Sequence, residues 1–481
     1  MNRWLWRIAV FSAGLSFLET PAHATGDYAV LISQQTYQLP EWRLVAEALR
    51  AKHDAVILTY SNQVSSLLPE LQRLFPKYAC LVATPPEASR QFVAEVHRLM
   101  RRLDDDPYPD LFWGILTGYD ATNALRIARL REPLAIRRVA AGTAFATEMV
   151  EEGVWYCELT PGRRVRKERN AAARQLQGPA DTTEALVRTL TEYQADLFIT
   201  SGHATEREWQ IGYGYKNGFF RCEHGMLYGL DTANRRFPIQ SPNPKVYLPV
   251  GNCLLGHIDG PDALALAFLN SGGVCQMIGY TVPTWYGYAG WGVLDYFMEQ
   301  PGRYTLTEAV FANHLALIHQ LVEYFPELAG RDLQAGRVPR TTNPPGAKAS
   351  AAGLKAQDGA GLLHDRDVLA FYGDPAWEAR LAPLPCGFDQ QLRVVEDQFV
   401  FEITPRRGTN SFTLLNPNGS QRGGRPLVQF LPCRIGQAEV LEGAHLQPVI
   451  TDNFILVPQP RLATNQPLRV VFRARRLCHE Q

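Results

Sequence analysis

Short apolar runs alternate with amphipathic stretches through the first quarter of the chain. Residues 28–32, 56–58, 80–83 and 111–116 have the length and composition of buried strands. Between them, residues 41–52, 64–75 and 87–103 repeat apolar positions at helical spacing. This β-α-β rhythm predicts a mainly parallel sheet flanked by helices, an α/β fold. From Val139 to about Arg169 the pattern weakens. It returns with Asp181-Thr182-Thr183-Glu184, which has the spacing of a capping box and predicts a helix running through Gln194. Two further apolar runs follow, ending at His203 and Cys253, with a Gly-rich, aromatic and charged excursion over residues 204–245 between them. A helix over 261–268, a strand over 273–278, a loop through Trp291 and helices over about 291–325 complete this region.

Residues 338–361 have linker composition. Beyond Cys386 the character changes to short β-rich runs at 399–403, 411–415, 427–430, 454–457 and 468–472, with turns at Asn418-Gly419 and Arg422-Gly423-Gly424. These predict an Ig-like antiparallel β-sandwich at the C-terminus. The expected organisation is a signal peptide over 1–24 and an N-terminal α/β half over 25–165. A second half carrying the site spans 166–335, linker and domain end 336–385, and the β-sandwich 386–481. Arg3 and Arg7, the apolar stretch 8–17 and Ala22-His23-Ala24 make the signal peptide, so the expected location is secreted, periplasmic or cell-surface. No stable membrane insertion is expected after cleavage, because the apolar run is too short to span a bilayer.

The chain has 481 residues, 46% of them hydrophobic, enough for two or three domains with substantial cores. Its 48 basic and 48 acidic residues balance, so no broad field points to nucleic acid as a partner. The 8 cysteines are dispersed, unlike a small disulfide scaffold, and none forms a zinc-type Cys-x-x-Cys pair. Cys386, Cys433 and Cys478 share the C-terminal region.

The two runs ending in Gly202-His203 and Gly251-Asn252-Cys253 carry the candidate chemistry. A strand that stops at a glycine places the next polar side chains at the carboxyl edge of a sheet, where open α/β sheets put their clefts. If the strands are neighbours, an imidazole and a thiol share that cleft. A thiol attacks a carbonyl as the thiolate and needs a base, which histidine supplies near neutral pH. Cys253 is then the nucleophile and His203 the general base and acid. The amides of Ala204 and Cys253 are candidate oxyanion donors. The other reading is that Cys253 is a small buried hydrophobe and His203 an ordinary strand-end residue.

The layout resembles the gingipain-like branch of the caspase-fold cysteine peptidases. Residues 199–203 resemble that group's block ending in His, and residues 248–253 its block ending in Cys. Ala263-Leu264-Ala265-Leu266-Ala267-Phe268 is similar to the helix after the nucleophile. Residues 273–281 are similar to the next strand, and Gly373-Asp374-Pro375-Ala376 to a short signature near the end of such domains. The resemblance implies a caspase-like sheet, a Cys253-His203 dyad, and a substrate pocket involving Tyr280, Thr284 and Trp285. It requires no cofactor and leaves room for structural calcium. One departure is Ala204, where the group has glycine, which reaches positive φ more easily.

The reading is therefore a secreted cysteine endopeptidase acting on protein or peptide substrates through an acyl-enzyme. The alternative is a catalytically weak or inactive caspase-fold surface or interaction protein, motivated by Ala204. Around the core pair, His257 is placed on the loop before a helix and His224 is a rival base. Asp259 and Asp262 are candidate attractors of a basic side chain, with Asp262 more simply a helix cap. Asp104-Asp105-Asp106 is read as a solvated acidic turn rather than a calcium loop. Arg163-Arg164-Val165-Arg166-Lys167 is a solvated basic loop or a site for an activating cut.

Overall fold

The computed structural model describes residues 27–334, 337–339, 344–415, 424–458 and 465–477. The signal segment, Cys478 and the turns at Asn418-Gly419 and Arg422-Gly423 lie outside the described residues. Twelve strands form one sheet, in the order Val56–Tyr60, Tyr28–Ser33, Tyr78–Val82, Phe112–Leu116, Leu369–Gly373, Val274–Tyr280, Lys245–Pro249, Leu197–Thr200, Arg138–Ala141, Glu152–Tyr156, Arg163–Lys167 and Arg174–Gln177. The sheet is two parallel blocks joined where Val274–Tyr280 pairs antiparallel with Leu369–Gly373, and the second block ends in two antiparallel edge strands, Arg163–Lys167 and Arg174–Gln177. Every residue of Tyr28–Ser33, Phe112–Leu116, Leu197–Thr200 and Val274–Tyr280 is buried, which is why these strands read as apolar runs and not as alternating ones. The predicted architecture, a mainly parallel sheet flanked by helices with antiparallel sheets at the C-terminus, is the one observed.

The weakly patterned stretch after Val139 contains the strands Arg138–Ala141, Glu152–Tyr156 and Arg163–Lys167. The basic run at 163–167 is thus a paired strand and not a loop: it lies antiparallel between Glu152–Tyr156 and Arg174–Gln177. A peptidase needs unpaired extended backbone, so an activating cut is disfavoured there. The excursion folds into its own antiparallel sheet, Glu208–Gln210, Phe219–Glu223, Met226–Leu230 and Arg236–Ile239. Its buried Trp209 and Phe220 pack edge to face, ring centroids 5.2 Å apart, and against Phe198 of the main sheet. The capping box does not form. Thr182 makes no capping bond; Asp181 instead accepts the amides of Thr183 and Thr232 and so ties the helix Thr183–Thr191 to the excursion.

Within the stretch of linker composition, Ala356–Asp365 is a helix leading into Leu369–Gly373. Its glycines are sites of close approach: a Cβ on Gly359 would stand 2.5 Å from Phe325, and one on Gly361 would stand 2.5 Å from Tyr286. The C-terminal unit has a four-stranded and a three-stranded sheet. Its opening strand is Phe388–Val395, whereas the strand expected at 411–415 is irregular chain. Along Phe454–Val457, Ile455 and Val457 face the sandwich core while Phe454 and Leu456 join the core of the large sheet. Period-two patterning thereby welds the two units together. None of Cys80, Cys157, Cys222, Cys253, Cys275 and Cys386 forms a disulfide among the described residues.

The Gly373-Asp374-Pro375-Ala376 signature is structural. Asp374 is buried and accepts hydrogen bonds from Tyr28 Oη at 2.7 Å and Lys52 Nζ at 2.8 Å, with His53 Nε2 at 2.7 Å. Burial opposes its charge, but the His53 hydrogen bond and the Lys52 ammonium outweigh it and hold the carboxyl well below the usual range. Asp374→Ala leaves Lys52 buried without its counter-charge, and the expected loss is about 3–5 kcal/mol in urea denaturation. The stabilisation from Asp374 should be complete above the unfolded carboxyl pKa of about 3.9 and fall away as pH drops below it. A wild-type stability curve in that acid window that matches the variant's would contradict this.

Candidate active site

The strands Leu197–Thr200 and Lys245–Pro249 are parallel hydrogen-bonded neighbours, with Leu197 opposite Val246 and Thr200 opposite Pro249. Both leave the sheet at the same edge, so the segments carrying His203 and Cys253 emerge side by side. Gly202, at φ 95°, takes the left-handed conformation that turns the first segment outward. Leu254, directly after the thiol, is also left-handed at φ 59°, uncommon for a side chain of this size. Its amide is tied to Val282 O at 3.2 Å and its carbonyl to His257 N at 2.9 Å, so the surroundings hold the strained turn in place.

Asn252 fastens the two segments together. It is fully buried; its Nδ2 donates to Gly202 O at 3.1 Å and its Oδ1 accepts from Thr200 Oγ1 at 2.7 Å. Thr200 spends its single proton on Asn252, so Tyr247 Oη, 2.9 Å away, donates to Thr200. Trp209 Nε1 adds a bond to Ser201 O at 2.8 Å. Gly251 is needed because a Cβ there would stand 2.8 Å from Trp291 Nε1.

The Cys253 thiol is half-buried, and its Sγ accepts the Thr284 N–H at 3.2 Å. The loop carrying Thr284 is pinned at both ends by one buried carboxylate. Asp365 Oδ2 accepts from Tyr280 Oη at 3.0 Å before the loop and from Ala289 N at 3.1 Å after it. Asp365 Oδ1 meets His364 Nδ1 at 2.9 Å.

His203 is exposed at the rim, its ring stacked on Tyr213 with centroids 4.7 Å apart. Tyr213 is held by its amide, which with that of Gly214 donates to Glu158 O at 2.6 and 2.8 Å. The Glu158 carboxyl lies beneath, accepting from Thr143 Oγ1 at 2.6 Å, with Oε2 buried and without a partner among the described residues. Burial pushes this carboxyl up, against the hydrogen bonds it accepts. No hydrogen bond joins the His203 imidazole to the Cys253 thiol among the described residues; in catalytic pairs such contacts are often long before substrate binds. The amides of Ala204 and Cys253 also have no partner among the described residues. Ala204 has no positive φ, because the left-handed turn falls on Gly202. An alanine there therefore costs no backbone strain.

Several predicted neighbours take other places. Tyr280 is fully buried with its hydroxyl on Asp365, so it supports the loop from behind and does not line a pocket. Trp285 projects at 64% exposure. His257 lies between Arg90 and Glu206, 3.0 Å from the latter. His224, at φ 51° beside Gly225 at φ 72°, occupies the hairpin turn between Phe219–Glu223 and Met226–Leu230. Asp259 is engaged by Arg207 at 2.6 and 3.1 Å. Asp262 accepts His224 N, and the helix Leu264–Asn270 starts from Ala263, so Asp262 is not its cap. Asn252, Tyr213, Glu158 and Asp365 were not singled out from the sequence. Only Asn252, next to the thiol at a buried strand end, carried a local signal.

Two groups of three metal-ligating side chains lie within 4.8 Å of one another among the described residues: His97, His314 and Asp367, and Asp104, Asp106 and Asp452. In the first, Arg101 and Arg366 already neutralise Asp367, which disfavours a cation. In the second, Asp104 and Asp105 are exposed, as the solvated-turn reading has it, but Asp104 and Asp106 also meet Asp452 of the C-terminal unit, and burial, with Asp104 and Asp452 adding to it, pushes Asp106 up to about 7. Neither group includes His203 or Cys253.

No protein-family profile and no curated protein matches the chain. Among solved structures it is similar to the complex of Porphyromonas gingivalis RgpB pro- and mature domains, at 11% identity and TM-score 0.42, over 91% of this chain and 94% of that one. It is also similar to the Arg-specific cysteine proteinase gingipain R, at 11% identity and TM-score 0.42, over 95% of this chain and 99% of that one. A third, described as a protease, has 9% identity and TM-score 0.42, over 79% of this chain and 85% of that one. At such values the chemistry has to be argued from the side chains.

Asn252→Ala removes the partner of the Gly202 carbonyl and the acceptor of the buried Thr200 hydroxyl proton. The expected cost is about 1–3 kcal/mol in chemical denaturation. An unchanged midpoint would mean that the clamp contributes nothing.

Proposed function

We propose that the protein is a secreted cysteine endopeptidase of the gingipain-like type that its sequence blocks resemble, with Cys253 as nucleophile and His203 as general base and acid. The observation that carries this reading is the pairing of two parallel strands whose ends are locked by Asn252, so that the segments bearing His203 and Cys253 leave the sheet side by side. Thr284 N–H holds the Cys253 sulfur at 3.2 Å, and the amides of Ala204 and Cys253, without partners among the described residues, are available to a developing oxyanion.

In the first step the Cys253 proton passes to His203 and Sγ bonds to the substrate carbonyl carbon. The tetrahedral oxyanion collapses, the C–N bond breaks, and His203 returns the proton to the leaving amine. Water then adds to the thioester while His203 takes its proton. The C–S bond breaks, releasing the acid and restoring the thiol. This chemistry needs no cofactor from the protein, and the partner is a peptide chain rather than nucleic acid. Export rests on the signal segment; among the described residues no helix is long and apolar enough to cross a membrane.

The test is a fluorogenic peptide library with mature protein beside Cys253→Ala and His203→Ala, together with iodoacetamide labelling at neutral pH. The expected result is cleavage that both variants lose by at least about a thousandfold, with Cys253 alkylating faster than the other thiols only while His203 is present. Uniformly slow thiols and no cleavage would favour the non-catalytic interaction protein.

A further inference from the structure

Among the described residues between 27 and 385, four large apolar side chains are more than half exposed: Trp285, Leu159, Leu44 and Tyr213. Leu44 is on the helix Pro40–His53. The other three surround the candidate site. Trp285 follows Thr284, whose N–H reaches the Cys253 sulfur at 3.2 Å. Tyr213 carries its ring on that of His203, with centroids 4.7 Å apart. Leu159 adjoins Tyr213 through a backbone contact that only glycine permits, since a Cβ on Gly214 would stand 2.7 Å from Leu159 O. Three distant segments of chain thus bring exposed apolar side chains next to the residues that flank the thiol and the imidazole, and exposed apolar surface gathered in this way marks a binding site.

The charges on the same loops are already matched. Arg207 holds Asp259, Glu206 faces His257, and Arg221 holds Glu208. The Glu158 carboxyl is buried and accepts the Thr143 hydroxyl at 2.6 Å.

We infer that this rim selects a substrate carrying a large apolar or aromatic side chain next to the scissile bond, held between Trp285 on the Cys253 side and Tyr213 with Leu159 on the His203 side. The inference rests on Cys253 being the nucleophile and names the substrate class of that site. Specificity of this kind comes from apolar area that is buried only when the matching side chain enters.

Peptidyl chloromethyl ketones differing only in the residue next to the reactive group test it on the mature protein, with iodoacetamide as an unspecific reference. The rate of Cys253 alkylation is read by mass spectrometry. Phe and Leu reagents should react at least about tenfold faster than the Arg reagent. Trp285→Ala and Leu159→Ala should each shrink that preference, read within each variant as the ratio of the Phe rate to the Arg rate. Preference for Arg, or a Phe-to-Arg ratio that neither variant alters, would overturn the apolar rim while leaving the peptidase reading intact. A Cys253 that reacts with none of these reagents faster than the other thiols would overturn both.

Discussion

The parallel pairing of Leu197–Thr200 with Lys245–Pro249 is the contact on which the site depends. Both strands are buried, so their apolar faces fix the register against helices above and below the sheet. A slip of one residue would turn Phe198 and Tyr247 out of the cluster they form with Phe268. It would also separate Asn252 from Gly202 and Thr200. The positions of His203 and Cys253 thus follow from core packing, with one carboxamide adding the last constraint where the strands end.

Around that pair, two buried carboxylates organise parts of the chain that are far apart in sequence. Asp374 joins Tyr28, Lys52 and His53 to the end of the strand that unites the two halves of the sheet. Asp365 holds both ends of the loop that offers its amide to the thiol. Each lies near one end of Leu369–Gly373, the strand that reverses direction against Val274–Tyr280. The antiparallel junction between the two blocks therefore links the stability of the first to the loop geometry of the second.

Strain and space are concentrated at the same place. Leu254 is held left-handed directly after the thiol, and Gly251 leaves the gap that Trp291 fills. Buried apolar residues dominate the rest of the sheet, whereas Trp285, Tyr213 and Leu159 remain exposed. A rim of this kind can persist in a stable protein because the sheet below it is covered on both faces and does not need those side chains for its core.

Much of this was legible in the amino-acid order. Runs such as residues 28–32 and 246–250 announce buried strands, because a strand covered on both faces must be apolar throughout. The glycines before His203 and Cys253 announce chain reversals. The switch to short β-rich runs after Cys386 marks the sandwich. The strands at 138–141, 152–156 and 163–167 were hidden because the last is basic and solvent-facing on its way to the sheet edge. The small sheet within 204–245 was hidden because strands of three to five residues carry too little periodicity. Tyr280 was misassigned to the pocket, since whether a strand-end tyrosine faces a cleft or a buried aspartate depends on a helix some eighty residues later. The sequence by itself determined the sheet, its helices and the candidate thiol and imidazole, because those depend on local apolar patterning. Only the tertiary structure decided the roles of Asn252, Glu158, Asp365 and Tyr213, because a buried polar side chain takes its meaning from partners that the fold brings to it.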